Sequence, residues 1–262
     1  MPNVEKHSPG SFCWFELGTS DQVAAKNFYQ SLFGWTSQDF PMGPSGTYTM
    51  FSLDGRHVGA TYALNQEQKA QGVPPHWALY VAVENADDIA RRAAELGGKV
   101  LVPPFDVYDA GRMTVMADPQ GAVFCVWQAK QHPGVGITGV DNTGCWADLN
   151  TPNRDKAKEF YSQLFGWNIT AGEKDPSGYL HIVNGPTAIG GIPPAEHVNP
   201  QAPPHWLLYF QVSDCAAAVS KAQGLGANAL MPAQEIPQVG HIAIVRDPQG
   251  AVFAFYQPPS KG

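Results

Sequence analysis

Two acidic residues and two histidines occupy equivalent places in strand-like stretches of the sequence. Glu16 and Asp148 each interrupt an apolar run, and His76 and His205 each stand in a Pro-Pro-His-Trp motif. An unpaired carboxylate is costly to bury, so each acidic residue must lie at a rim or have a partner. Histidine titrates near neutral pH, so a carboxylate and a histidine together could exchange protons with a ligand. These four residues are the catalytic candidates; the alternative is structural pairing, with each histidine packed or bonded to backbone.

Aromatic residues near these positions are candidates for holding a ligand. Trp14 and Trp146 each precede an acidic residue by two positions and could stack on a planar molecule, although core packing is the alternative. Two tyrosines on later strands could supply a hydroxyl. Arg112 in the first copy and His241 in the second stand at equivalent positions. This difference could give the cavities of the two copies different functions. The ligand-binding candidates are therefore Trp14, Tyr80, Arg112, Trp146, Tyr209 and His241.

The chain contains an internal repeat. The segment from Phe28 to Trp35 (FYQSLFGW) recurs from Phe160 to Trp167 (FYSQLFGW), and residues 118–124 (DPQGAVF) recur at 247–253. Self-similarity at this spacing indicates tandem duplication of a unit of about 120 residues, an ordinary domain size. We predict a first domain at residues 10–129, a Gly- and Pro-containing linker at 130–141, and a second domain at 142–258.

Within each copy the pattern reads β-α-β-β-β twice. In the first copy, a strand at residues 12–17 precedes a helix that Ser20 and Asp21 can cap and Gly34 can end, and three strands follow. The same order then restarts at Trp77. This pattern predicts an α+β fold of two tandem domains. Each domain is a pair of βαβββ modules that form a concave half-barrel sheet, with an aromatic-lined face inside and the helices outside.

Composition excludes several classes of function. The chain has 262 residues with 16 Lys+Arg against 23 Asp+Glu, a net charge of −7, and the basic residues do not cluster. That charge distribution argues against binding to nucleic acid. The sequence contains no apolar run of membrane-spanning length and no signal-peptide pattern at its start. Its four cysteines lack metal or disulfide spacing, which favours free thiols and a cytoplasmic location.

With the motifs F-Y-x-x-L-F-G-W and D-P-x-G-A-x-F and four modules, the chain resembles the vicinal-oxygen-chelate superfamily. That superfamily includes glyoxalases, bleomycin-resistance proteins and extradiol dioxygenases, and the resemblance is to a tandem two-domain, glyoxalase-like member. It implies a divalent metal held by His or Glu side chains from the first, fifth and eighth strands of a domain. In this sequence those positions fall on Trp14, Ala78 and Cys125, and on Trp146, Leu207 and Ala254. One thiol cannot make a metal site, so the chain departs from the metal pattern in both copies.

We therefore expect a metal-free small-molecule binding protein of the bleomycin-resistance type, with aromatic cavities and no cofactor. The alternative is a glyoxalase-like lyase or isomerase, or a dioxygenase. It would use a nonstandard divalent metal site or an acid–base set of Glu16 with His76, or Asp148 with His205. A third hypothesis is a scaffold that binds a protein partner. We expect the two copies to pack as a pseudo-dimer within a monomer, with a small molecule as the partner and no contact with membranes.

Overall fold

The computed structural model describes residues 3–172 and 177–259, and within these ranges two eight-stranded mixed sheets account for sixteen strands. The first sheet contains β1 (Phe12–Thr19), β2 (Thr36–Pro41), β3 (Thr47–Leu53), β4 (Arg56–Ala63), β5 (His76–Ala82), β6 (Lys99–Val107), β7 (Gly111–Ala117) and β8 (Val123–Ala129). The second contains β9 (Gly144–Asn150), β10 (Asn168–Ala171), β11 (Leu180–Asn184), β12 (Thr187–Ile192), β13 (His205–Gln211), β14 (Asn228–Ile236), β15 (Gly240–Arg246) and β16 (Val252–Gln257). The helices are α1 (Gln22–Phe33), α2 (Gln66–Ala70), α3 (Ala86–Glu95), α4 (Arg154–Phe165) and α5 (Cys215–Gly224).

Both sheets have the same topology. The first has the order β2-β3-β4-β1-β5-β8-β7-β6, and the second repeats it as β10-β11-β12-β9-β13-β16-β15-β14. The central strands β1 and β5 are antiparallel, and each runs parallel to the last strand of its own module. This arrangement confirms the predicted α+β fold of two tandem domains, each made of two βαβββ modules. The short helix α2 is an addition that the sequence pattern did not predict.

Helix α1 begins and ends where its sequence requires. The Asp21 carboxylate accepts a hydrogen bond from the Ala24 amide, which satisfies one free N–H of the first turn. Gly34 ends the helix at φ 72°, a left-handed conformation that glycine adopts without a steric penalty. Its counterpart α4 uses Asn153 and Gly166 in the same two roles. The caps thus place the buried faces of these helices equivalently in the two copies.

The two sheets share one hydrophobic core on their helix-bearing faces. Phe33 of α1 packs against Phe210 of the second sheet, with ring centroids 4.9 Å apart. Reciprocally, Tyr161 of α4 packs against Phe124 of the first sheet at 5.6 Å. Buried residues from both halves belong to a single cluster. The helix-free face of each sheet therefore points away from the other copy.

A pair of reciprocal hydrogen bonds joins the two repeated motifs across this core. The Tyr29 hydroxyl donates to Asp247 Oδ2 at 2.9 Å and accepts from Trp77 Nε1 at 3.0 Å. In the other copy the Tyr161 hydroxyl donates to Asp118 Oδ2 at 3.2 Å. The Oδ1 atom of each aspartate accepts three backbone N–H groups of its own D-P-Q-G-A turn. The F-Y motif of one copy thus bonds the D-P-Q-G motif of the other.

The tryptophans of the F-G-W motifs add a second reciprocal pair. Trp35 Nε1 donates to the Asn142 carbonyl at 2.8 Å, and Trp167 Nε1 donates to the Gly10 carbonyl at the same distance. Gly10 and Asn142 precede the first strand of each copy. Each motif thus fixes the point at which the opposite copy enters its sheet. Among the described residues, the structure contains no helix that is long and apolar enough to cross a membrane.

The reciprocal bonds predict that the two copies unfold together. Tyr29→Phe should lower the free energy of unfolding by about 1–3 kcal/mol, because it leaves Asp247 Oδ2 and the Trp77 indole without a buried partner. Urea denaturation followed by circular dichroism measures this. The control is Tyr108→Phe, at a side chain 75% exposed, which should change little. Two separate unfolding transitions in the wild type, or equal stability of both variants, would contradict the shared core.

Candidate functional site

On the helix-free face of the first sheet, a carboxylate is held between two tyrosines. Glu16 on β1 accepts a hydrogen bond at Oε1 from the Tyr48 hydroxyl on β3, at 2.7 Å. Its Oε2 accepts from the Tyr80 hydroxyl on β5, also at 2.7 Å. Trp14, two residues earlier on β1, donates from Nε1 to the Tyr48 hydroxyl at 3.1 Å. Strand alternation places Trp14 and Glu16 on this face, and sheet pairing brings the tyrosines to them.

The second sheet repeats this cluster around Asp148. The Tyr209 hydroxyl donates to Oδ2 at 2.8 Å, and the Tyr179 hydroxyl donates to Oδ1. Trp146 Nε1 lies within hydrogen-bond distance of both Oδ1 and the Tyr179 hydroxyl, at 3.0 and 2.9 Å. Trp14, Glu16, Tyr48 and Tyr80 thus correspond to Trp146, Asp148, Tyr179 and Tyr209. We call these two groups the first and second carboxylate clusters.

Burial controls the protonation of both clusters. It raises the pKa of Glu16, and the hydrogen bonds from Tyr48 and Tyr80 oppose that rise. Burial likewise raises the pKa of Asp148, against its tyrosine and tryptophan donors. The pKa values of Tyr48, Tyr80 and Tyr209 rise as well, first through burial and then through the adjacent carboxylate. The hydroxyls therefore remain protonated donors, and the carboxyl is the group that can gain or lose a proton.

An apolar surface extends from each cluster across the second module of the same sheet. In the first sheet the Tyr80 hydroxyl lies 3.9 Å from Met113 Sδ on β7. Next to Met113 in register is Phe105 on β6, which is 42% exposed, and Val102 nearby is 40% exposed. The second sheet has a separate apolar cluster in the same place. It consists of Leu207, Tyr209 and Ala254 with Cys145, Trp146, Ile242, Ile244, Val252 and Tyr256 against them.

The Pro-Pro-His-Trp histidines are bonded to backbone. The Nδ1–H of His76 donates to the Pro74 carbonyl at 2.8 Å, and that of His205 donates to the Pro203 carbonyl at 2.8 Å. Each histidine stands at the start of its strand, and the carboxylates bond tyrosines instead. The structure therefore does not pair Glu16 with His76 or Asp148 with His205 through a hydrogen bond.

Arg112 and His241 lie on the opposite, helix-bearing face. Arg112 forms a bidentate ion pair with Asp87 of α3, at 2.7 and 2.8 Å, and a third contact with Asp106. His241 is paired in register with Gln257, whose side chain accepts a hydrogen bond from the first residue of α5. The structure thus groups Trp14, Glu16 and Tyr80, and their counterparts, and it separates Arg112 and His241 from them.

The residues at the family's metal positions do not fit a metal ion. Trp14, Tyr80 and Cys125 lie side by side across β1, β5 and β8, and Ala78 lies opposite Glu16. Burial raises the pKa of the Cys125 thiol, which disfavours the thiolate that binds metals. Each cluster has one carboxylate among neutral aromatic donors. Within residues 3–172 and 177–259, no three His, Cys, Asp or Glu side chains are placed to hold a metal ion.

Three residues near the clusters were missed by sequence reasoning. Tyr48 and Tyr179 stand at equivalent points in the two copies, and that correspondence could have identified them. His132 lies in the linker and has no repeated counterpart to reveal it. Its backbone is fixed by its N–H to Ala110 and by its carbonyl, which accepts from Trp127 Nε1 at 2.8 Å. Its ring packs edge-on against Trp14, with centroids 4.6 Å apart, and its Nε2 is buried without a hydrogen-bond partner.

Sequence comparison identifies one family and several full-length relatives. Residues 11–126 and 144–255 each match the family described as the Glyoxalase/Bleomycin resistance protein/Dioxygenase superfamily. A Mycobacterium tuberculosis protein named "Putative glyoxylase CFP32" is 37% identical over 98% of both chains. The "Anthracycline biosynthesis protein DnrV" of Streptomyces peucetius is 34% identical, covering 96% of this chain and 94% of its own.

Solved structures show the same fold at low sequence identity. The Mn(II)-bound glyoxalase from Novosphingobium aromaticivorans matches with a TM-score of 0.64 at 16% identity, over 98% of this chain and 83% of that one. The 2,3-dioxygenase LapB from Pseudomonas sp. KL28 matches with a TM-score of 0.63 at 14% identity, over 98% and 93%. At such identities the likeness concerns the fold alone.

The buried imidazole of His132 predicts that stability falls in mild acid. Burial, and then the neighbouring His57 and His7, lower the pKa of His132 to about 4, from an ordinary value of about 6.5. Between these values the unfolded chain binds more protons, so stability present above about pH 6.5 is lost as the pH falls toward 4. His132→Leu should remove about 2 kcal/mol of the decrease between pH 7 and 5. Urea denaturation at both pH values measures it.

The matched control for this test is His197→Leu, which changes an exposed histidine. It should leave the pH dependence of stability as it is in the wild type. If His132→Leu and the wild type lost the same stability between pH 7 and 5, His132 would not be held neutral by its surroundings.

Proposed function

Because the chain belongs to the Glyoxalase/Bleomycin resistance protein/Dioxygenase superfamily, we propose that it binds a planar small molecule on the helix-free faces of its sheets without a metal ion. The observation that carries this proposal is the carboxylate held by two tyrosine hydroxyls. That arrangement lies beside the positions where the family resemblance implies metal ligands, and it occurs in both copies. A bleomycin-resistance type of function, by sequestration, is our first assignment.

The site combines a polar end with an apolar surface. Glu16, Tyr48 and Tyr80 can exchange hydrogen bonds with a hydroxyl or carbonyl group of a ligand. Beside them, Phe105 is exposed and Met113 is half-buried, and both offer apolar contact area to a ligand. Few polar groups on a mostly apolar face are typical of small-molecule sites. A fused aromatic molecule with oxygen substituents at one edge matches this division, and the name of the Streptomyces peucetius relative supports that class.

A second candidate function is proton transfer on the bound molecule, in a lyase or isomerase of the glyoxalase type. The specific observation in its favour is the pKa of Glu16, which burial raises toward the range useful for a general acid or base. The name of the mycobacterial relative is consistent with it. Both candidates use the same carboxylate, and they differ in whether the ligand leaves chemically changed.

We further propose a monomeric protein of the cytoplasm. The reciprocal contacts of α1 and α4 already pair the two copies within one chain. All four cysteines are free, which suits a reducing compartment.

Metal independence can be tested with alizarin, a planar dihydroxyanthraquinone. We expect protein purified without chelators or an affinity tag to carry well under one divalent ion per chain by elemental analysis. Alizarin should quench tryptophan fluorescence equally before and after EDTA treatment, since the polar end of the site consists of protein side chains. Stoichiometric Zn, Ni, Mn or Fe, together with loss of quenching on chelation, would overturn the proposal.

Arg112→Gln provides the control for this titration. Arg112 bonds α3 on the helix-bearing face, so the variant should bind alizarin as the wild type does. Weakened binding in Arg112→Gln would place the ligand on the other side of the sheet.

A further inference from the structure

We propose that the two carboxylate clusters do different work: Glu16 meets the ligand, whereas Asp148 holds the tyrosines of its own sheet in place. The inference deepens the proposed small-molecule function and rests on it. It assigns ligand recognition through a charged group to the first sheet, and a structural role to the carboxylate of the second sheet.

Asp148 is surrounded by three donors and almost closed off from solvent. Its side chain is only 7% exposed. Tyr179 and Trp146 donate to Oδ1, and Tyr209 donates to Oδ2, so three donors from three elements surround one carboxylate. Such a network rigidifies its neighbourhood when every member is satisfied. A ligand could reach Asp148 only by displacing one of these donors.

Glu16 is more open and has fewer partners. Its residue is partly buried, and its carboxylate accepts one hydrogen bond at each oxygen, from Tyr48 and Tyr80. The Trp14 indole bonds the Tyr48 hydroxyl, where its counterpart Trp146 reaches Asp148 directly. A carboxylate has about four acceptor positions, so Glu16 keeps acceptor capacity for a ligand hydroxyl.

A methyl group in the neighbouring strand contributes to the difference in closure. The residue beside Asp148 in the neighbouring strand is Gly191, and the residue beside Glu16 is Ala60. Tyr179 lies directly over Gly191: a Cβ at that position would be 2.0 Å from the tyrosine hydroxyl. In the first sheet the methyl of Ala60 occupies the corresponding space. In the second sheet, the side chain of Asp148 is thus one methylene shorter than that of Glu16. Gly191 also leaves room for Tyr179 to lie over the Asp148 carboxylate.

The linker supplies the first sheet with another polar atom. His132 packs edge-on against Trp14, and its buried Nε2 has no hydrogen-bond partner. A buried polar atom left unpaired costs free energy that a ligand can recover by bonding it.

Carboxyl labelling tests the inference without any ligand. The folded protein is treated with a water-soluble carbodiimide and glycine ethyl ester, and peptides are quantified by mass spectrometry. We expect Glu16 to be modified about tenfold faster than Asp148, because Glu16 is the more exposed of the two residues and has fewer hydrogen-bond donors around its carboxylate. Equal rates, faster modification of Asp148, or no modification of Glu16 would overturn the assignment.

Gly191→Ala should open the second cluster. The added methyl must displace the Tyr179 ring, which is the end of a flexible side chain, so the fold should persist. Asp148 should then be labelled at a rate approaching that of Glu16. Gly224→Ala is the matched control, because a Cβ there meets nothing within 4 Å. Unchanged labelling of Asp148 in a folded Gly191→Ala variant would show that Tyr179 does not seal it.

Alizarin titration connects the assignment to binding. Glu16→Gln should weaken the tightest binding about tenfold, as expected for loss of a hydrogen bond to a charged group, and Asp148→Asn should weaken it less than Glu16→Gln does. If the wild-type protein binds no alizarin but Glu16 is labelled selectively, the proposed ligand class is wrong. The difference between Glu16 and Asp148 is then still supported. If the wild-type protein binds alizarin and Asp148→Asn weakens binding more than Glu16→Gln does, the assignment of different roles to Glu16 and Asp148 is wrong. The proposed binding function is then still supported.

Discussion

The hydrogen bond from Tyr29 to Asp247, with its counterpart from Tyr161 to Asp118, is the contact on which the architecture depends. Each aspartate also organises the backbone of its own turn, so one residue ties a local loop to the opposite copy. Because the bonded groups are buried, separating the two copies would leave polar atoms without hydrogen-bond partners in a low-dielectric interior. The helix-bearing faces are thereby committed to the shared core.

That commitment leaves the two helix-free faces for function. The strands hold their backbones in place through the ladder and the core behind them, so side chains on the other face can change without loss of the fold. In this chain the positions that the resemblance assigns to metal ligands carry Trp14, Ala78 and Cys125 in the first copy. Glu16 is instead bonded by two tyrosines. The helix-free face of the first sheet therefore carries a hydrogen-bonded carboxyl beside those positions.

The two copies show how small a change separates an open site from a closed one. Glu16 beside Ala60 and Asp148 beside Gly191 differ by one methylene in the acid and one methyl in the neighbouring strand. In the second copy these changes bring Tyr179 over the carboxylate and bury it. Duplication allows this division, because the reciprocal core needs both copies folded but does not need both helix-free faces to bind the same group.

The sequence by itself determined the duplication, the βαβββ order and the family, because these follow from local periodicity and from motifs whose residues are close in the chain. The sequence also made Trp14 and Tyr80 candidates for contact with a ligand near Glu16. Only the tertiary structure decided that Tyr48 bonds Glu16 and that His132 lies on Trp14. It also paired Arg112 of β7 with Asp87 of α3 and turned His76 toward its own backbone. These contacts depend on strand register, on bulges such as that in β3 and on the path of the linker, which long-range packing fixes and local sequence does not.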